Sequence, residues 1–400
     1  MLVAATGVGA GDLATATFTG IRLGTAVLWA VVAGGILKFV LTEGLARWQL
    51  ATGQTFLEGA AVRLSRAVGW LFLPYLLLFS FFVGSALMSA NGVTLHALFP
   101  VFDDADTAKI AFGVLASAVG LAVVRAGGFP LFEKIMGVCV ALMFVCVVAT
   151  AGLLWPGTGE VLRGLFVPTL AAGDAESVSW TIALMGGVGG TVTILCYGYW
   201  IREKGREGAG RLAECRLDLG AGYLMTALFG IAMVIIGSTI RTEGQGADLL
   251  VVLGERLNET LGPAGRIVFL IGALGAVFSS LLGVWQSVPY LFADIHRLFL
   301  ARVRDDGADS SARVDERAPA YRWFLYAIAT LPVAGLVMSF RDVQKIYAVT
   351  GAFFLPLLAL GLLVMNGRRA WVGGHTNRAS TVVVLAATLI FFGWLAFRAW

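Results

Sequence analysis

Long runs of apolar residues, rather than short alternations of apolar and polar positions, dominate this chain. A helix needs about 20 consecutive apolar residues to cross the hydrocarbon core of a bilayer. The runs predict an all-α polytopic membrane protein with eleven transmembrane helices, whose ends are uncertain by about two to four residues. The predicted spans are Leu2–Ile21, Gly24–Leu45, Ala67–Val93, Ala108–Val124, Phe129–Leu154, Ser179–Ile201, Leu217–Ile240, Ala264–Ile295, Tyr321–Phe340, Val343–Met365 and Ser380–Ala396.

Composition excludes most other classes of protein. Apolar residues make up 58% of the 400 residues and charged residues 14%, whereas a soluble domain carries about 25% charged residues. Soluble enzymes and nucleic-acid-binding domains are therefore excluded, as are outer-membrane barrels, whose strands alternate apolar and polar residues. The lipid bilayer is the expected partner, and the formal charge of +4 requires no nucleic acid. The oligomeric state stays open.

The basic residues predict how the chain is oriented in the membrane. With the amino terminus in the cytoplasm, the inner loops hold about twice as many Lys and Arg residues as the outer ones, as the positive-inside rule requires. An odd number of spans then puts the carboxyl terminus outside. We expect an integral protein of the bacterial inner (plasma) membrane.

Two of the predicted spans contain clusters of glycine. Thr6–Thr15 has three glycines and a carboxylate inside the first span, and Gly186–Trp200 has a second cluster inside the sixth. Each glycine weakens a helix by about 1 kcal/mol relative to alanine, so the backbone can unwind where protein or water satisfies it. Interruptions at matching positions of two halves indicate a central binding site between inverted repeats. The alternative is that these small residues only allow close helix packing.

The spacing of the interruptions predicts the domain organisation. Helices one and six are five helices apart, as a five-plus-five inverted repeat requires. We expect a first repeat over residues 1–155, a second, inverted repeat over residues 156–366, and an extra carboxyl-terminal helix in residues 367–400. Met1–Val8 would span only about 12 Å of helix, which leaves open whether the native chain starts upstream of Met1.

Asp12 is the candidate charged residue of the site. A carboxylate near the middle of a membrane costs several kcal/mol unless it is paired, and it indicates function by default. Together with Thr15 it also resembles the cap of a helix that restarts after a break. The two roles are compatible, because a carboxylate can cap one helix and still face a cavity.

Lys38 is a second ionisable residue inside a predicted span. It lies about 21 Å along the helix from Gly24, too deep to reach the outer surface easily. Its side chain either extends to the inner surface, braces an interrupted helix in place of a coupling cation, or carries a proton itself. The sequence does not decide between these coupling and structural roles.

Several stretches are similar to motifs of one transporter family. Gly9–Thr15 is similar to Asp-Pro-Gly-Asn-Phe-Ala-Thr in its first helix, and Gly187–Tyr199 to Gly-x-x-Gly-Ala-Thr-Val-Met-Pro-His-Asn-Leu-Tyr in its sixth. Shorter matches are Gly44–Arg47 with Thr52–Gly53, Cys215–Asp218, Ser279–Ser280 and Leu355–Pro356. The chain thus resembles, over nearly its whole length, the Nramp (natural resistance-associated macrophage protein) family of divalent-metal transporters. The resemblance implies a LeuT-like fold with metal bound between helices one and six.

The departures from the family pattern concern the ligands. The family's metal-binding aspartate falls on Gly9 and its asparagine on Asp12, while its methionine ligand falls on Ile194 and its histidine on Cys196. Thioethers suit softer transition metals and oxygen ligands suit Mg²⁺, and a buried thiol without a basic neighbour stays protonated. The acids of the family's third helix fall on Leu77, Gly84 and Leu87. The chain therefore looks like a divergent branch, closer in chemistry to magnesium-transporting relatives.

These considerations give a candidate site and function. The candidate substrate-binding residues, with Asp12 as the metal ligand, are Gly9, Asp12, Thr15, Thr191, Ile194, Cys196 and Tyr197. We expect a transporter of divalent cations such as Mg²⁺ or Mn²⁺ that is not coupled to protons by the family's usual route. The metal is the transported substrate, and no cofactor is expected.

Other functions stay open at this stage. The main alternative is a LeuT-fold transporter of a non-metal solute such as an organic cation or amine, attracted by Asp12 and by the aromatic faces of Tyr197, Tyr199 and Trp200. A membrane-embedded enzyme or a non-transporting receptor is the third possibility. No enzyme is expected, because the sequence has no nucleophile–base constellation, paired intramembrane aspartates or His-Glu-x-x-His motif.

Overall fold

The chain folds into helices that pack side by side. The computed structural model describes residues 7–9, 11–169, 174–239, 249–300 and 316–398, and of residues 11 and 12 it describes the backbone. Every regular element in these ranges is helical. Nine apolar segments there are long enough to cross a bilayer: Leu13–Thr52, Ala67–Leu98, Ala105–Ala126, Leu131–Leu153, Glu176–Glu203, Ala209–Ser238, Leu250–Leu300, Pro319–Val337 and Phe340–Met365. The all-α polytopic class is confirmed, whereas the count of eleven crossings and the two repeats stay predictions.

The α-helices are numbered in chain order. They are α1 (Ala16–Leu23), α2 (Leu28–Thr52), α3 (Phe56–Arg63), α4 (Arg66–Leu98), α5 (Ala105–Leu153), α6 (Thr158–Phe166), α7 (Ala175–Gly187), α8 (Tyr197–Glu203), α9 (Leu212–Ser238), α10 (Leu249–Ile295), α11 (Pro319–Thr330), α12 (Phe340–Ala352), α13 (Phe354–Met365), α14 (Arg369–Val372) and α15 (Ala379–Arg398). Segments of 3₁₀-helix are Gly24–Val27, Val192–Cys196, Ala209–Arg211 and Leu331–Val337, and segments of π-helix are Gly11–Thr15 and His296–Leu300.

The first two predicted spans meet at a glycine. Leu13–Thr52 has 40 residues, about twice the length that one crossing needs, and Gly24 between α1 and α2 has a φ of 62° that favours glycine. The short helix α6 lies against this junction, where Thr169 donates its hydroxyl to the Ala26 carbonyl at 3.0 Å. The boundary predicted between the first two spans, at residues 21–24, therefore coincides with the end of one α-helix in the structure.

Three other boundaries differ from the predicted ones. The fourth and fifth predicted spans lie within the single long helix α5. The helix α10 begins well before the predicted eighth span, but it bends at Gly262, whose φ is 74°. Pro263 follows Gly262 and has no backbone N–H to donate. The predicted start of the eighth span at Ala264 therefore lies next to the bend. The tenth predicted span is divided at Phe353 into α12 and α13.

Helices α1 and α9 pack through glycines. A Cβ added to Gly20 of α1 would lie 2.4 Å from the Val234 carbonyl oxygen of α9, and one added to Gly237 would lie 2.5 Å from the Thr17 carbonyl oxygen. Small residues allow this close approach of two backbones inside a membrane. The contact with α9 thus fixes the position of α1, the part of the first predicted span that follows its glycine cluster.

We predict that Gly20→Ala destabilises the protein, because the added methyl group forces α1 away from α9. The expected loss is about 1–3 kcal/mol, as for overpacked sites in general, and it is read as a lower melting temperature in detergent. The matched control is Gly137→Ala in α5, where no described atom lies within 4 Å of the added Cβ. Equal losses in the two variants would contradict this account of the contact.

Candidate functional site

The sixth predicted span is interrupted at the residues between α7 and α8. Residues 188–191 are not helical, and the chain resumes as the 3₁₀-helix Val192–Cys196. Gly189 and Gly190 have φ values of 78° and 80°, which side chains with a Cβ rarely adopt. The glycine cluster therefore marks a real break in the helix, as its sequence predicts.

The first predicted span is irregular at the corresponding place. Val8 and Gly9 lie in a bend, Gly11–Thr15 forms a π-helix, and α1 begins at Ala16. π-helical turns inside α-helices are frequently found at functional sites. Asp12 lies in this π-helix, but its side chain is outside the described part of the structure.

The two interruptions face each other. A Cβ added to Gly7 would lie 2.7 Å from the carbonyl carbon of Gly189, and one added to Gly190 would lie 3.5 Å from the Cα of Gly7. A Cβ on Gly9 would lie 2.2 Å from the hydroxyl oxygen of Ser280 on α10. The π-helix Gly11–Thr15 also contacts α7, α9 and α12. The breaks thus pack backbone against backbone at the centre of the helices.

Two buried hydroxyls lie at the breaks. Thr15 and Thr191 are fully buried, and in the described residues neither Oγ1 atom has a hydrogen-bond partner. Thr191 packs against Gly351 of α12, where an added Cβ would lie 2.6 Å from the Thr191 methyl group. A buried hydroxyl without a partner costs roughly 1–3 kcal/mol, so both are available to a ligand or to water.

The carbonyl oxygens of the candidate residues Gly9 and Thr191 each accept one backbone hydrogen bond. The Gly9 carbonyl accepts from the Leu13 amide at 2.8 Å, and the Thr191 carbonyl accepts from the Ile194 amide at 3.1 Å. A carbonyl oxygen has two lone pairs, so each can still accept a second contact. Neither oxygen is free of helical partners, as an unwound backbone would leave it.

The remaining predicted residues fall in different surroundings. Ile194 is buried in the 3₁₀-helix after the break. The Cys196 thiol contacts the Ser287 carbonyl of α10 at 3.5 Å, and the Tyr197 hydroxyl lies 3.3 Å from the Asp218 carboxylate of α9. Cys196 and Tyr197 therefore connect the restarted helix to its neighbours.

Lys38 is directed to the sixth-helix break. Its ammonium donates to the Gly186 carbonyl at 2.6 Å and also to the Val188 carbonyl, and the side chain is fully buried. Of the arrangements that the sequence leaves open, the structure shows contact with the interrupted helix.

The sequence analysis missed a buried group of charges beside α8. Glu58 accepts from Arg202 and Arg297, with distances of 2.9 Å and 2.8 Å to its Oε1, and Asp294 accepts from Arg297 at 2.8 Å and from the Tyr199 hydroxyl at 2.5 Å. The group joins α3, α8 and the end of α10. The available signal was the Thr55-x-x-Glu58 spacing of a capping box, which the structure contains.

The amino-terminal end of α7 carries a second, more exposed group of charges. Arg22 pairs with Asp174 at 2.9 Å and with Glu176 at 3.0 Å, and Arg341 also pairs with Glu176. The Ser177 hydroxyl and the Arg22 guanidinium lower the pKa of Asp174 to about 2. Because these pairs are partly solvated, they contribute little to stability.

The donor atoms near the breaks are mostly hydroxyls and carbonyls. Within the ranges whose side chains are described, no group of three or more His, Cys, Asp and Glu residues could hold a metal ion. The described residues therefore provide neutral oxygen atoms. Such an arrangement can accept an ion that keeps part of its water shell.

Comparisons with solved structures find transporters. A mutant of the manganese transporter of Eremococcus coleocola is 17% identical, with a TM-score of 0.71 over 98% of this chain and 83% of that chain. MhsT in complex with L-phenylalanine is 17% identical, with a TM-score of 0.71 over 100% of this chain and 97% of that one. The closed conformation of MHP1, a nucleobase-cation-symport-1 family transporter, is 13% identical, with a TM-score of 0.58 over 99% and 92%. These likenesses show a LeuT-like fold.

A comparison with curated proteins finds no significant match. The family comparison is decisive, because it covers residues 1–399 and matches the description "Natural resistance-associated macrophage protein-like". The interrupted helices and the LeuT-like fold agree with that match. The chain belongs to the Nramp family.

Proposed function

We propose that this chain transports a divalent cation across a membrane and binds it between the two interrupted helices. The observation that carries the proposal is the contact of the two breaks, with the buried hydroxyls of Thr15 and Thr191 beside them. Membership of the Nramp family and the likeness to a protein named as a manganese transporter support it. The metal is substrate, and the proposal needs no cofactor and no enzymatic step.

The proposed ligands are oxygen atoms. Asp12 supplies the negative charge, the hydroxyls of Thr15 and Thr191 supply neutral oxygens, and the carbonyls of Gly9 and Thr191 supply their second lone pairs. One carboxylate with neutral oxygens suits Mg²⁺, which gives up water reluctantly and is often held by one or two carboxylates with waters completing its octahedron. We infer a preference for Mg²⁺ over Mn²⁺, with Ile194 where a soft ligand would be needed.

We further propose that protons do not drive transport through helix α4. A proton relay needs titratable groups along a path, and α4 contains no Asp or Glu residue. Leu77 is exposed on the helix surface, Gly84 lies against Pro332 of the 3₁₀-segment Leu331–Val337, and Leu87 is buried near Gly9. These three positions carry no titratable group, and the histidine of α4, His96, lies in its last turn.

The proposed topology is the one that the apolar spans and the basic residues of the loops predict. Eleven crossings form a first repeat (1–155), an inverted second repeat (156–366) and an additional helix (367–400). The amino terminus is cytoplasmic, the carboxyl terminus is outside, and the membrane is the bacterial inner membrane. The positive-inside bias of the loops supports this orientation.

Nothing described at the site favours the alternative of an organic cation. The hydroxyls of Tyr197 and Tyr199 contact Asp218 and Asp294, and the Trp200 indole donates to Gln286 at 3.3 Å. These aromatic side chains are engaged in packing α8 against α9 and α10. A titration with an organic amine therefore serves as the negative arm of the binding experiment.

We predict that Asp12→Asn abolishes binding of the divalent cation and leaves the fold intact. The variant keeps the size of the side chain and removes the proposed negative charge. Calorimetric titration with Mg²⁺ and Mn²⁺, and uptake into sealed proteoliposomes, measure the effect. Wild-type uptake should proceed without proton influx above that of empty vesicles.

The matched control is Asp104→Asn. Asp104 caps α5 from an exposed loop through the Thr107 amide, at 2.7 Å, and Asn caps a helix about as well as Asp. Binding and uptake should stay at the wild-type level in this variant. Undiminished metal binding in Asp12→Asn would show that Asp12 is not the ligand.

We predict that Ile194→Met shifts selectivity towards softer ions, because it places a thioether beside the break. Competition titrations should show Cd²⁺ and Mn²⁺ gaining on Mg²⁺ by about tenfold, the ratio that roughly 1.4 kcal/mol produces. The control is Leu195→Met, the neighbouring buried residue of the same 3₁₀-helix. Wild-type protein that already prefers Cd²⁺ strongly, with Cys196 required, would establish a soft site.

A further inference from the structure

The ammonium of Lys38 occupies the end of the first half of helix six. Lys38 lies within the 25-residue helix α2 and is fully buried. It donates to the carbonyls of Gly186, at 2.6 Å, and of Val188. Both carbonyls lie where α7 ends and the non-helical residues 188–191 begin.

The end of α7 is a site that favours a cation. The last carbonyls of a helix have no intrahelical partner, and the aligned peptide dipoles put about −0.5 of an elementary charge there. In interrupted transporter helices, such ends and unwound carbonyls coordinate the cation that accompanies the substrate. A lysine ammonium offers the same compact positive charge with three N–H donors.

One face of α2 contacts the residues around the sixth-helix break at several positions along the helix. A Cβ on Gly34 would lie 3.0 Å from the Met185 carbonyl oxygen, so α2 and α7 touch one turn before Lys38. One turn after it, the Thr42 hydroxyl lies 2.6 Å from the Tyr223 hydroxyl. The Tyr223 ring in turn lies 3.1 Å from where a Cβ on Gly189 would sit. Residues 34, 38 and 42 share this face because they are spaced four apart.

We propose that Lys38 is a tethered cation that holds the sixth-helix break in the form that binds substrate, so that uptake needs no separate monovalent cation. Lys38 is a positioning residue, since it acts through the backbone at Gly186 and Val188. The inference rests on the proposed function for its transport readout, and a stability readout tests it independently.

The experiment compares Lys38→Met and Lys38→Ala with the matched control variants of Lys109. Lys109 is also a buried lysine that donates to a backbone carbonyl, that of Met338 at 3.0 Å, but it lies in α5 and pairs with Asp106. Divalent-cation uptake and melting temperature are measured in NaCl, in KCl and in N-methylglucamine chloride. For the alanine variants they are also measured with methylammonium and n-butylammonium.

We predict that wild-type uptake is the same in all three salts. Lys38→Met should reduce it by about tenfold or more, because the charge-assisted hydrogen bonds to Gly186 and Val188 are lost. Lys38→Ala should regain melting temperature, and part of its uptake, when a small alkylammonium ion fills the vacated site. Lys109→Ala should show no such recovery of uptake, because Lys109 contacts Met338 and Asp106 and not the sixth-helix break.

Several results would overturn the proposal. They are wild-type uptake that requires Na⁺ or K⁺, unreduced uptake in Lys38→Met, no recovery of melting temperature in Lys38→Ala, and proton movement that accompanies wild-type uptake and disappears in Lys38→Arg. If Lys38→Ala cannot be purified, Lys38→Arg should melt at a higher temperature than Lys38→Met, and equal temperatures would count against a tethered cation. If the wild type carries no divalent cation, the proposed function fails, while the alkylammonium arm still decides about Lys38.

Discussion

A bilayer supplies no water to the backbone, so every N–H and C=O group must find its partner inside the protein. This constraint governs the centre of the molecule, where helices one and six are both irregular. At the sixth-helix break the Lys38 ammonium donates hydrogen bonds to the carbonyls of Gly186 and Val188. Around the first, the Leu13 amide reaches back to the Gly9 carbonyl. The described backbone carbonyls at the breaks thus have partners, a side chain of α2 at the sixth-helix break and a local amide at the first.

The same constraint explains where glycine is needed. Gly189 and Gly190 adopt left-handed φ values, and Gly7 and Gly9 have no room for a Cβ because another chain segment lies against them. The first pair is required by backbone conformation and the second by contact. Gly7 and Gly189 thus allow the two irregular segments to meet without side chains between them, and the hydroxyls of Thr15 and Thr191, in the same two segments, are buried.

The sequence predicts much of this arrangement, because apolar length and glycine clusters are local signals. The division at Gly24, the bend at Gly262 and the break after Gly187 all coincide with features visible in the chain. The directions of Cys196 and Tyr197 could not be predicted. A short 3₁₀-helix with 3.0 residues per turn precedes α8 and sets the rotation at which Cys196 faces α10 and Tyr197 faces α9. The Glu58–Asp294 group was also missed, because its members are distant in sequence and meet only through packing.

The two halves of helix six are held by different parts of the molecule. The first half, α7, is contacted by Lys38 at its carboxyl end and by Arg22 at its amino end. The second half, α8, is bound through Arg202 to Glu58 and through Tyr199 to Asp294, both of which are almost fully buried. Breaking such buried pairs by removing one partner costs about 3–5 kcal/mol, so α8 stays with α3 and the end of α10. Residues 188–191, where the glycines tolerate changes in φ and ψ, join the two halves. The break in the helix therefore connects two separately anchored parts, at the place where we propose that the ligand oxygens bind the cation.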